Sequence, residues 1–405
     1  MRRNARWAAC IGLGLGVALA GPACKRGGGS IPMQPGSGVD AGSFDKVGLL
    51  RAFGECALTT YREAETAIVA LEPAAAKAAA DGTPESRAAA REAWARALDA
   101  WEVAEVMQFG PAAMTGAPGA QDLRDGIYSW PLVNRCLIEQ QMVSQIYDKP
   151  ELATTLVSTR SLASLDYLLH YEGADNACGA PATINAQGTW AALGPQTIAS
   201  RRLGYASAVA KDVTPRVKKL VEAWDPARGN FLAQIADAGK PGSAFSSQQM
   251  AFNAVSDALF YLDDQVKDMK VGRPAGIVAC VSATCPEPVE SPFSGRAKEH
   301  LRANLVGFER IFRGCGAGGE GLGFDDLLVA VGAGTVSQAV SAALAESFAA
   351  LDALGARTLT QAIAQDPPAV RRLFDAIKKL TDILKTDFAT VLDLELPKKI
   401  EGDND

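Results

Sequence analysis

The chain has 405 residues, of which 48% are apolar and 21% charged, and its formal net charge is −6. That length can build more than one compact unit, and that balance excludes wholesale disorder. No basic run or basic–aromatic face occurs, which excludes nucleic acid as the expected partner.

Taken in chain order, Arg2, Arg3 and Arg6 precede an apolar stretch from Trp7 to Ala20 that is too short to span a bilayer stably. Together they predict an export signal over residues 1–23. Removing it takes away three arginines and no acid, which shifts the net charge from −6 to −9. Ala23 directly before Cys24 resembles a bacterial lipoprotein cleavage site, with Cys24 as the lipidated N-terminus, although Gly21 stands where Leu is usual. The alternative is an ordinary secretory peptide cut near Ala20 or Ala23. Residues 24–43, rich in Gly, Ser and Pro, predict a flexible linker that would hold a folded body off an envelope membrane, facing the periplasm or the cell surface.

Helical periodicity dominates the rest of the chain, and abundant Ala favours it. Helices are predicted over 43–80, 85–109, 122–147 with a break at Trp130-Pro131, and 158–171. After a loop carrying Cys178 come 189–224 with a kink at Pro215, 245–270, 295–312, 324–330, 335–354 and 367–392. The expected fold class is therefore all-α. The helix count suggests two helical bundles, residues 44–180 and 188–393, packed with a cleft between them and followed by a charged tail, 394–405. Trp94 and Trp101, seven residues apart, predict a core stripe on one helix. No segment after residue 24 is apolar enough to cross a membrane.

Six cysteines remain once Cys10 and Cys24 are set aside, an even number in an exported chain, which suggests disulfides. Cys280 with Cys285, close together in a Pro-bearing loop, is the easiest pair, and Cys56 with Cys136 would tie two helices of the first half. Buried free thiols are the alternative. The spacings do not repeat as the paired C-x-x-C of a zinc cluster.

Several strings, in this order along residues 45 to 315, resemble the imelysin family. They are Trp101-x-x-x-Glu105-x-x-x-Phe109-Gly110-Pro111, Ile127-x-x-Trp130-Pro131, and Arg160 through Leu169. Lys270-x-Gly272-x-Pro274, Val289-Glu290-Ser291-x-x-Ser294 and Asn304-Leu305 come after them. The resemblance implies an all-α fold of two bundles with a cleft between them. It also implies export, an association with iron acquisition, and the peptidase label of the family name. In the family a His and a Glu three residues apart share one helix face, so both could reach one cation. Here those positions hold Ala163, which has no donor atom, and Asp166, one methylene shorter, while Ser161 replaces the family Gly.

A shifted metal site is one expectation. Asp166 and His170, four residues apart, lie on one face beside Tyr167, and Glu105 could join them if the helices face each other; iron or another divalent metal would suit this mixed N/O set. The opposing expectation is no cofactor, with His170 at a helix end and Asp166 paired to Arg160 or Arg135. The expected ligand cleft comprises Glu102, Glu105, Arg160, Asp166, Tyr167, Glu290, Ser291 and Ser294. Ser294 could equally open the next helix. His300, among Arg296, Lys298 and Glu299, reads as part of a solvated face. With two histidines in the chain, no H-E-x-x-H and no G-x-S-x-G, no catalytic residue is assigned. The sequence thus leaves three readings: a non-catalytic envelope lipoprotein tied to metal acquisition, a metallopeptidase, or a scaffold for an envelope protein partner.

Overall fold

Helix α1, Lys46–Asp81, begins where the Asp45 carboxylate accepts the Gly48 N–H at 2.7 Å, and ends at Gly82 in the left-handed region (φ 62°) that suits glycine. Thr83 then caps α2, Pro84–Glu105, with Pro84 in the first turn, where its missing N–H costs nothing. The computed structural model describes residues 44–278, 289–316 and 320–398, all within the unit Gly38–Asp405. The export signal, Cys24, the linker, Cys280, Cys285 and residues 399–405 lie outside the described residues.

The fold is all-α: among the described residues there is no strand, only an isolated bridge between Thr115 and Ala117. No described helix is long and apolar enough to cross a membrane. After α2 the chain is irregular until α3, Arg135–Ser144, which starts at the cap Asn134. The expected helix over 122–147 is thus confined to its second half. The reason lies at Pro131, which has no N–H to donate and whose ring breaks the helical run after Trp130. Next come α4, Ser164–His170, the short α5, Thr183–Ala186, and α6, Thr189–Trp224. Pro215 sits inside α6, and the residue that leaves helical geometry is Gly194 (φ 74°), ahead of Pro195, rather than the neighbourhood of Pro215.

Helices α7, Phe231–Ala236, and α8, Gln248–Leu259, lead into a wide-turned π-helical segment, Leu262–Gly272. Beyond it lie α9, Ala297–Arg313, α10, Phe324–Ala330, α11, Gly334–Asp352, and α12, Leu359–Gln365. Helix α13, Pro367–Ile383, continues into a second π-helical stretch, Leu384–Phe388, and α14, Ala389–Val391. Helix α12, which periodicity does not predict, is fixed by a capping box between Thr358 and Gln361.

Helix α1 packs along both α2 and α6; α2 packs on α9, and α13 packs on α11 and the first π-helical segment. Trp94, Trp101 and Trp224 are fully buried, the first two forming the expected stripe on α2. Helix α9 comes close to α2 at Gly307, where a Cβ would lie 2.4 Å from the Val103 carbonyl oxygen.

Two disulfides close the described fold: Cys56–Cys315 and Cys136–Cys178. The expected Cys56–Cys136 pair is corrected. Cys56, on α1, faces the end of α9, and the glycines around Cys315 let that turn approach to a Cα–Cα distance of 5.2 Å. Cys136, at the start of α3, meets the loop cysteine Cys178 instead.

Candidate functional site: a carboxylate cage around Lys270

Helix α2 turns Glu102 and Glu105 toward the π-helical segment, whose Lys270 is fully buried. The Lys270 ammonium lies 2.6 Å from Glu102 Oε2, 3.0 Å from Glu290 Oε1 and 3.7 Å from Glu105 Oε2. It also donates to Asn304 Oδ1 at 3.0 Å, and it stands 5.7 Å from the ring centres of both Trp130 and Tyr261. Each partner is itself held. Asn304 Nδ2 donates to Glu102 Oε2 (2.9 Å) and to its backbone oxygen (2.8 Å), and the Tyr128 hydroxyl donates to Glu290 at 2.5 Å. Arg124 pairs with Glu105. His300 Nδ1 approaches Glu290 Oε2 at 3.4 Å.

These contacts set the charges. Burial alone would lower the Lys270 pKa, but Glu102 and Glu290 outweigh it and hold the ammonium well above its ordinary value. Burial would raise Glu290; Lys270, His300 and Tyr128 overcome it and keep its carboxyl below the usual range. For Glu105 burial prevails over Arg124, so its pKa is raised. His300 is raised by Glu290 against burial.

His300 corrects an expectation: it is fully buried rather than solvated. Its charged sequence neighbours conceal an i, i+3, i+4, i+7 stripe of Ala297, His300, Leu301 and Asn304, all buried, which would have placed it inward.

A second polar centre lies on α4. Both Asp166 oxygens accept backbone N–H groups at 3.0 Å, from Phe293 and Ser294. Burial nevertheless pushes the Asp166 carboxyl up. This bond pair pins the turn in which Ser291 takes a left-handed φ of 47°, and so delivers the neighbouring Glu290 to the cage. Ser294 therefore does not open α9, whose cap position is Arg296; its hydroxyl donates to the Ser291 carbonyl at 3.3 Å. His170 ends α4, packs against Trp94 with ring centres 4.7 Å apart, and points Nδ1 at the Asp166 backbone oxygen (3.3 Å). Burial and then Arg91 lower its pKa to about 4.

Of the residues expected at the site, Glu102, Glu105 and Glu290 meet at Lys270, and Asp166, Ser291 and Ser294 form the turn beside them. Arg160 instead pairs with Asp212 at 2.9 Å. Arg135 pairs with Glu139 and Asp175, and Tyr167 donates to Glu139 at 2.8 Å. Glu105 does not assemble with Asp166 and His170. Among the described residues, the acid–imidazole group whose donor atoms lie within 4.8 Å of one another is Glu102, Glu290 and His300. Sequence reasoning does not single out Lys270, Tyr128 and Asn304 as site residues, although Lys270 opens the K-x-G-x-P string and Asn304 lies in one of the strings after it.

Above the cage opens a cavity of about 370 Å³ lined by Gln108, Arg124, Trp130, Leu132, Asp257 and Tyr261, among others. Trp130, Tyr261 and Arg124 thus have one side toward the cavity and another toward the charges.

The comparisons agree with this architecture. The chain is 26% identical over 264 residues to iron-regulated protein A of Synechococcus elongatus, a match covering 64% of this chain and 57% of that protein. Its fold is similar to that of an imelysin-like protein from Psychrobacter arcticum 273-4 (TM-score 0.62, 16% identity, 87% of this chain and 96% of the other). It is also similar to a candidate iron-regulated protein A precursor from Parabacteroides distasonis (TM-score 0.65, 17% identity, 86% and 94%). The profile of the imelysin family, Peptidase M75, matches residues 57–386, and the chain is a member of that family.

Proposed function

We propose that this chain is an exported, non-catalytic binding protein of the bacterial cell envelope, tethered through lipidated Cys24, that serves the acquisition of iron or another metal. The observation that carries the reading is how its polar groups are committed. The family His position is Ala163, both Asp166 oxygens take backbone N–H groups, and the carboxylates of α2 surround an ammonium. A hydrolytic metal needs several protein ligands and an open position for water, and these residues do not fit an ion either at the family position or in the cage. An accessible cavity lies over Trp130 and Tyr261, with Leu132 and Met114 exposed. That is where a ligand or an envelope protein partner would dock.

Two features support the setting. The disulfides suit an oxidising compartment, and the similar cyanobacterial protein is named for regulation by iron. The test is growth of a strain lacking the gene under an iron chelator. Slower growth, restored by the wild-type gene and not by Cys24→Ser, is expected. Growth equal to the parent, or chelator-sensitive peptide cleavage by the purified protein, would overturn the reading.

A further inference from the structure

The misfit between cage and metal has a single identifiable cause. Glu102, Glu290 and His300 come from α2, the pinned turn and α9, and present donor atoms within 4.8 Å of one another. All three are fully or almost fully buried. Four atoms of this group, Glu102 Oε1, Glu290 Oε2 and both His300 ring nitrogens, have no hydrogen-bond partner, although His300 Nδ1 lies 3.4 Å from Glu290 Oε2. Unpartnered atoms of this kind are costly in a buried position, and here they belong to two carboxylates and an imidazole, a set that suits first-row divalent metals such as zinc, cobalt, manganese or iron. Glu105 is already balanced by Arg124. The positive charge facing Glu102 and Glu290 is the Lys270 ammonium, at 2.6 and 3.0 Å.

We propose that Lys270 is the residue that excludes metal from this cage: its ammonium occupies the cation position of a latent divalent site formed by Glu102, Glu290 and His300. An ammonium is a compact point charge with three donors and no capacity to ligate further groups. It balances the charge of Glu102 and Glu290 without polarising water, so the cage stays electrostatically closed. Trp130 and Tyr261, whose ring centres lie 5.7 Å from the Lys270 ammonium, also line the cavity, so these two side chains stand between the cage and the cavity. The proposal rests on the non-catalytic reading above, and its test involves purified protein only. A failure here therefore leaves the chelator-growth result untouched.

The experiment compares wild-type protein, Lys270→Met, Lys270→Arg and Lys270→Met/His300→Ala, each oxidised and dialysed against excess Co(II) and then metal-free buffer. Retained cobalt and its visible absorption are recorded. Expected are about one cobalt per chain for Lys270→Met and at least tenfold less for the other three, with a cobalt-dependent rise in Tm for Lys270→Met alone. The double variant cancels adventitious binding at surface or cysteine sites, and Lys270→Arg shows that a charge at this position suffices to exclude the ion. A wild-type chain that keeps one cobalt in a His300-dependent manner would overturn the proposal. So would a Lys270→Met chain that retains no more than the double variant, or that fails to fold both with and without cobalt.

Discussion

Asp166 shows how one side chain can change employment while keeping its place. A carboxylate at this helix face could reach outward to a cation, yet here its two oxygens are consumed by the N–H groups of Phe293 and Ser294. Asp166→Ala would leave two buried donors unpaired and is expected to cost about 2–4 kcal/mol in urea unfolding; Asp166→Asn, which keeps one acceptor, should cost less. The chain's two histidines offer a second check. His170, with its pKa lowered to about 4, is neutral in the folded state, while the unfolded chain takes up a proton near 6.5. Stability is therefore lost as pH falls through that window, by up to about 3 kcal/mol. His300 has the opposite sign: its contribution is complete below 6.5 and fades as pH rises through its raised folded value. Imidazole NMR titration should resolve one ring titrating well below 6.5 and the other above it, and His170→Phe should flatten the acid branch of the stability curve.

At the scale of elements, the helices were legible in residues 46–105, 297–354 and 367–383, because apolar spacing there is regular, whereas the short α12 and the cap position of α9 were not. The stretch between α2 and α3 was not, since its conformation depends on tertiary contacts and on Trp130-Pro131 rather than on local preference. The acids of the cage were readable as residues, but their common target was not, because Lys270 reaches Glu102 across 168 positions of sequence. Gly307 governs that meeting. A methyl group there would press on Val103 and Val106, so Gly307→Ala is expected to lift α9 from α2 and cost about 1–3 kcal/mol, seen as a lower Tm. Mapping of peptides under non-reducing conditions should recover the bridges 56–315 and 136–178, and loss of either should cost about 2–4 kcal/mol.

For the whole molecule, the buried charges are a specification more than a source of stability. Ion pairs this deep can be exchanged for well-packed apolar groups at little cost, whereas removing one partner alone is expensive. Replacing Glu102, Lys270, Glu290 and Asn304 together by Met and Leu is therefore expected to leave a folded protein of equal or greater stability. Glu102→Ala alone should lose about 3–5 kcal/mol in the same denaturant titration. That contrast would separate a cage retained for binding from one retained for folding.

The bridge between Cys56 and Cys315 spans 259 positions, so it encloses α2 through α9 in one covalent ring. A nick by a neighbouring protease in any exposed turn of that ring, such as the one around Gly242, would leave both pieces attached to each other. A clipped copy would thus persist as a single particle, and only reduction would let its halves part.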